Sequence, residues 1–174
     1  DRIIRRIVKC SGLWGRGYRN YLDIRVEHNT IRLPNLPAAF EGYRILHIAD
    51  LHTDLDPGLP GAVIPKLEGL AYDLCINTGD FRNRTQDCHL VSMQETARIY
   101  AHVYGLKLGV LGNHDFIEKA DSLEAMGVQL LLNENTFIEK DGQRLWFVGV
   151  DDPDYYQTHD FERALKGVPP EACK

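Results

Sequence analysis

Residues 106–115 read LKLGVLGNHD, an apolar run suited to a buried strand that ends in Gly112, Asn113, His114 and Asp115. The same arrangement occurs twice upstream. Residues 43–52 read YRILHIADLH and deliver Asp50 and His52, while residues 73–80 read DLCINTGD and deliver Gly79 and Asp80. Each short β-prone run finishes in a polar cluster, which predicts three buried strands with three polar ends. Between them lie helical patterns. Val63, Ile64, Leu67 and Leu70 recur at helical spacing, with Pro65 suited only to a first turn. Residues 86–104 predict a helix with Leu90, Met93, Ala97, Tyr100 and Tyr104 along its inner face. Downstream, residues 118–126 predict a helix and 128–132 a strand. Residues 136–140 and 144–150 predict a hairpin over Asp141-Gly142, and Thr158 caps a last helix through Leu165. Strands alternating with helices, followed by a hairpin, predict an α/β fold with a mixed sheet.

Outward from this centre the chain is ordinary in composition. Its 174 residues are 44% hydrophobic and 26% charged, the balance of a globular domain. Residues 21–26 alternate, a turn at His28-Asn29-Thr30 follows, and residues 31–33 return, so a β-hairpin is expected there. Residues 1–39 are accordingly read as a basic N-terminal arm plus hairpin, and 40–174 as the main domain. The first 25 residues hold seven basic side chains against Asp1 and Asp23, a net of +5, so the remainder carries −10 of the total −5. An acidic body is a poor match for nucleic acid, so no nucleic-acid partner is expected. The basic arm is suited to solvent, to peripheral contact with an anionic membrane, or to following a removed membrane segment, and a cytoplasmic or membrane-peripheral location is expected. Cys10, Cys75, Cys88 and Cys173 show no C-x-x-C spacing. Cys75 is expected to pack as a small buried hydrophobe, and a reducing compartment is favoured.

The polar strand ends carry the chemistry. In open α/β sheets ligands bind outside the carboxyl ends of the strands, where three such clusters converge. Carboxylate, imidazole and amide oxygen form a mixed donor set suited to Mn, Fe or Zn. Asp50 and His52, one residue apart on an extended segment, point to one side. Each motif alone is common; the three in order, each after a buried strand, predict a shared site.

These motifs, D-x-H at Asp50 and His52, G-D at Gly79-Asp80 and G-N-H-D at Gly112 to Asp115, resemble those of the calcineurin-like metallophosphoesterase superfamily. The surrounding text (ILHIADLH, DLCINTGDF, GVLGNHD, WFVGVDDP) is most similar to the bacterial membrane-associated branch, which includes enzymes cleaving the pyrophosphate of UDP-diacylglucosamine. The resemblance implies a four-layer sandwich, two mixed β-sheets flanked by helices, around two divalent metal ions. Asp50, His52 and Asp80 would hold the first and Asp80 and Asn113 the second. A hydroxide between the metals would attack phosphorus of a phosphodiester or pyrophosphate, in a phosphorylated small-molecule or lipid-linked substrate. His114 would serve the leaving oxygen, with Asp115 positioning it, and Asn113 and Arg84 would meet phosphate.

The family completes its site with a later histidine and a G-H-x-H motif. After His114 this chain holds only His159, expected to be a surface or capping residue. The domain is therefore expected to be C-terminally incomplete, the N-terminal two-thirds of the family fold, and weakly active or inactive alone. Asn83 stands where the protein-phosphatase branch has Asp, which argues against that branch. The alternative is a non-catalytic interaction module on the same fold.

Overall fold

A computed structural model describes residues 2–85 and 88–174. Four parallel strands, β1 (Ile45–Ile48), β2 (Leu74–Asn77), β3 (Leu106–Gly109) and β4 (Val128–Leu130), pair in sequential order β1-β2-β3-β4. Parallel neighbours need crossovers, supplied by α3 (Leu59–Leu67), α4 (Leu90–Tyr100) and α5 (Ala120–Ala125). Chain order continues into the hairpin β5 (Glu134–Lys140) and β6 (Gln143–Gly149), then α6 (Phe161–Ala164); α1 (Arg2–Cys10) and α2 (Trp14–Tyr21) precede the sheet. The α/β class with two sheets is as expected. One sheet is wholly parallel and the other is the antiparallel hairpin.

Side chains alternate across the parallel sheet. Cys75, Val128 and Leu130 face the helices and pack with Val63, Leu67, Met93, Ile99 and Leu123. Leu74 and Leu108 face the other way and meet Ile138 and Phe147 of the hairpin. The hairpin turns on Asp141 and Gly142, both at positive φ (50° and 71°), as a two-residue turn between twisted strands requires. Cys75 is buried as expected, and burial pushes its thiol up to about 12. All four cysteines are free.

Several expectations are corrected. No hairpin forms over residues 21–33: the segment after α2 carries no strand, and Val26, Ile31 and Leu33 are exposed. Alternation alone does not make a strand without a partner edge, and only Ile24 finds the core. Pro65 lies inside α3 toward its end, not in the first turn; Pro60 takes the first-turn place. The helix expected over 86–104 spans Leu90–Tyr100, with residues 86–87 of the expected span outside the described residues. Its buried face is Ser92, Met93, Thr96, Ile99 and Tyr100, while Leu90 and Tyr104 are exposed. The rotation has a polar cause. Buried Thr53 Oγ1 lies 2.8 Å from the Ser92 carbonyl and 3.1 Å from Thr96 Oγ1, which turns small hydroxyl residues inward. The cap of α6 is Asp160, whose carboxylate accepts from the Arg163 N–H at 2.9 Å; Thr158 lies outside the helix.

Candidate metal centre

The register aligns Ile48, Asn77 and Gly109 across the first three strands, so the chain leaves all three at one level. The loops beyond remain zipped together. The amides of Asp50, His52 and Thr53 donate to the carbonyls of Gly79, Asp80 and Phe81 at 3.0–3.1 Å. Asp54 then accepts from the amides of Asn83 (2.6 Å) and Arg84 (3.1 Å). Buried Asn77 bridges the strand end to α4, donating to the Tyr100 hydroxyl and accepting from the Gly79 amide, both at 2.8 Å.

Within this frame Asp50, His52 and Asp80 come together. One ligand atom from each lies within 4.8 Å of the others. All three residues sit at positive φ, 52°, 43° and 58°, a region non-glycine residues rarely adopt. The backbone is bent so that three donors meet. The close approach of two loops makes this bend feasible only with glycine at two positions: a Cβ on Gly79 would lie 2.3 Å from the Gly112 nitrogen, and one on Gly112 would lie 2.2 Å from Asp80 Oδ1.

Hydrogen bonds fix the ring orientations. His52 Nδ1 lies 2.8 Å from the Arg82 carbonyl, which can only accept. The proton therefore sits on Nδ1, and the Nε2 lone pair faces Asp80 Oδ2 (3.8 Å) and Asp50 Oδ1 (4.0 Å). His114 is held alike, its Nδ1 donating to the Asn83 carbonyl at 2.6 Å, and its ring centroid is 5.1 Å from that of His52. Its backbone N–H donates to Asp80 Oδ1 at 3.0 Å.

Asp115 does not hold the His114 ring as expected. Its buried carboxylate accepts from the amides of Asp80 (2.7 Å), Gly112 (3.0 Å) and Phe81 (3.2 Å), and pairs with the equally buried Lys119 ammonium. Three convergent N–H groups and one cation claim that carboxylate, which leaves the Asn83 carbonyl as the partner of His114. Burial pushes the Lys119 ammonium below the usual lysine range, with Asp115 opposing. Asp115 thus positions the loop backbone and is sealed from substrate.

An open cleft of about 350 Å³ lies over the centre, lined by Asp50, Thr78, Asp80, Gly112, Asn113 and, from beyond β6, Asp151 and Asp152. Asn113 is exposed in this cleft. Arg84 is exposed outside the lining, its amide held by Asp54. His159 is exposed, its ring against Phe161.

Sequence reasoning passed over the far wall. Buried Asn133, at φ 57°, accepts from the amides of Asp151 (3.1 Å) and Asp160 (2.8 Å) and donates to the Thr158 carbonyl. Asp152 accepts from the amides of Asp154 and Tyr156. A signal existed: WFVGVDDP is a fourth apolar run ending in acids.

The donor set fits a divalent cation. Two carboxylates and one imidazole nitrogen with its lone pair free converge at coordinating range, and among the described residues no lysine or arginine lines the cleft to neutralise them. No curated protein matches the chain. The family model for calcineurin-like phosphoesterase matches residues 43–166, which include every residue that lines the cleft. That family implies divalent metal ions and phosphoester hydrolysis, in keeping with the Asp-His-Asp cluster. With the match spanning most of its length, the chain belongs to the calcineurin-like phosphoesterase family.

Proposed function

We propose that the domain carries the nucleophile side of a two-metal phosphodiesterase or pyrophosphatase. The observation that carries this reading is the Asp50, His52 and Asp80 cluster, with the Nε2 of His52 directed at both carboxylates by the Arg82 carbonyl. Asp50, His52 and Asp80 would hold one ion, and Asp80 with Asn113 a second. Ions bound there supply Lewis acidity toward a phosphoryl oxygen and lower the pKa of water toward about 7. Asn113, exposed in the cleft, is suited to a phosphate oxygen. His114, tied through Nδ1, keeps Nε2 toward the departing oxygen, to which it would give a proton from the imidazolium form and become the neutral Nδ1–H ring. Asp115 and Lys119 fix the loop that carries both residues. A substrate presenting a phosphodiester or pyrophosphate, small or lipid-linked, suits the open cleft, and Arg84 would meet it only after moving inward.

Four of the described residues are assigned to two ions, so the purified chain is expected to hold metal weakly and turn over slowly. The test is hydrolysis of bis(p-nitrophenyl) phosphate with and without added Mn²⁺, for the chain and its His52→Ala variant. Slow, Mn²⁺-dependent turnover lost in the variant supports the reading. Turnover unaffected by His52→Ala, or stoichiometric partner binding without metal uptake, would replace it with the interaction module.

A further inference from the structure

The N-terminal helix α1 turns its apolar side away from the protein. Ile3, Ile4 and Ile7 are 74%, 60% and 62% exposed. At 100° per residue these three, with Val8 and Cys10, occupy an arc of about 160°, with Lys9 opposite its centre and Arg6 outside its edge. Arg2 and Arg5 add to the charge of the same nine-residue helix. The next helix, α2, is exposed as well but is anchored: the Tyr18 hydroxyl donates to Asp56 Oδ1 at 3.1 Å, and Ile24 after the helix packs on the core. The segment is therefore tethered to the domain through α2, while the isoleucine stripe of α1 is left without a protein partner among the described residues.

We infer that α1 lies in the headgroup region of an anionic lipid bilayer, isoleucines down and basic side chains at phosphate level. Charge complementarity selects this occupant. The first 25 residues carry a net +5 on a chain of net −5, and no helix among the described residues is long and apolar enough to cross a membrane. An amphipathic helix with a basic polar face is the form that rests in the interface plane. A second copy of the chain is the poorer occupant. A helix of nine residues is about 13 Å long, so one face of it falls short of the roughly 800 Å² each partner buries in a standard protein interface. The tether joins the domain at Asp56, in the loop that follows Asp50 and His52, so attachment would set the bilayer beside the candidate metal centre. The inference rests on the helix alone and holds whether or not that centre hydrolyses phosphoesters.

The experiment is co-sedimentation of the 174-residue chain with vesicles of phosphatidylcholine alone and of phosphatidylcholine with phosphatidylglycerol, at low and high salt. Trp14 emission is recorded in parallel. The expected result is at least about tenfold stronger partition onto the anionic vesicles, weakened by salt, with a blue shift of emission. Ile4→Glu/Ile7→Glu should abolish it with an unchanged circular-dichroism spectrum. Arg6→Glu/Lys9→Glu, which keeps the apolar stripe, should remove the preference for anionic lipid. Equal partition onto both vesicle types, or undiminished binding by the isoleucine variant, would overturn the inference. So would a stable dimer that the isoleucine substitutions dissolve in a chain that ignores vesicles.

Discussion

Lys119→Met removes the cation from a pair whose two side chains are both 0% exposed. Breaking a buried pair by deleting one partner costs about 3–5 kcal/mol, because the remaining charge is stranded away from water. Here the stranded Asp115 keeps its three amide donors at 2.7–3.2 Å, which places the expected loss at the low end, about 3 kcal/mol. For a domain of this size that lowers Tm by about 6–12 °C. Asp115→Asn should cost at least as much, since it replaces one of the two acceptor oxygens with an NH2 donor and leaves the buried Lys119 ammonium without a counter-charge, held by the His114 carbonyl and one amide oxygen. Burial already depresses that ammonium, and without Asp115 its folded pKa falls further below the unfolded value. The unfolded state then binds the proton that the folded state sheds. Stability of Asp115→Asn should therefore rise with pH between the two values. Urea unfolding followed by circular dichroism, on both single variants and the double variant, gives the coupling between the two residues. A coupling of about 2 kcal/mol is expected. Additive losses, or a loss below about 1 kcal/mol for Lys119→Met, would refute the claim that this pair locks the loops.

Other consequences can be checked on the same protein. Gly79→Ala adds a Cβ against the Gly112 backbone at a φ of 96°; a loss of at least about 2 kcal/mol is expected in thermal unfolding. Maleimide labelling at neutral pH should modify exposed Cys10 and Cys88 quickly and buried Cys75 and Cys173 only after unfolding. Because the folded Cys75 thiol is raised to about 12 from 9.0, its contribution to stability is full below pH 9 and is lost as pH climbs toward 12. Urea midpoints should fall less steeply across that window in Cys75→Val than in the parent. Asp50→Asn, at a side chain 70% exposed, should leave the melting temperature unchanged while weakening metal binding measured by calorimetry.

The parts of the fold that were legible in the sequence were local in cause. The three strand ends could be read because apolar run and polar stop are adjacent, and the parallel register then carries Asp50, Asp80 and Asn113 to one edge without further information. Asp141-Gly142 specified its hairpin for the same reason. What stayed hidden was decided by partners distant in sequence. Thr53 sets which face of α4 is buried from 39 residues upstream of Ser92. Asn133 holds the far wall through residues 18 and 27 positions downstream. Asp115 reads locally as a neighbour of His114, but its acceptor sites are claimed by amides of the preceding loop. The alternation after residue 20 predicted a hairpin because a sequence pattern cannot report that the segment pairs with no strand.

The central claim is that Asp50, His52 and Asp80 form a cation site whose imidazole is oriented by the Arg82 carbonyl. Titration of Mn²⁺ into the chain, followed by the loss of the free-ion electron paramagnetic resonance signal, tests it most directly. Saturable uptake that His52→Ala and Asp80→Asn each weaken by at least about tenfold is the expected result. Uptake that is absent, or equal in the parent and both variants, would contradict it.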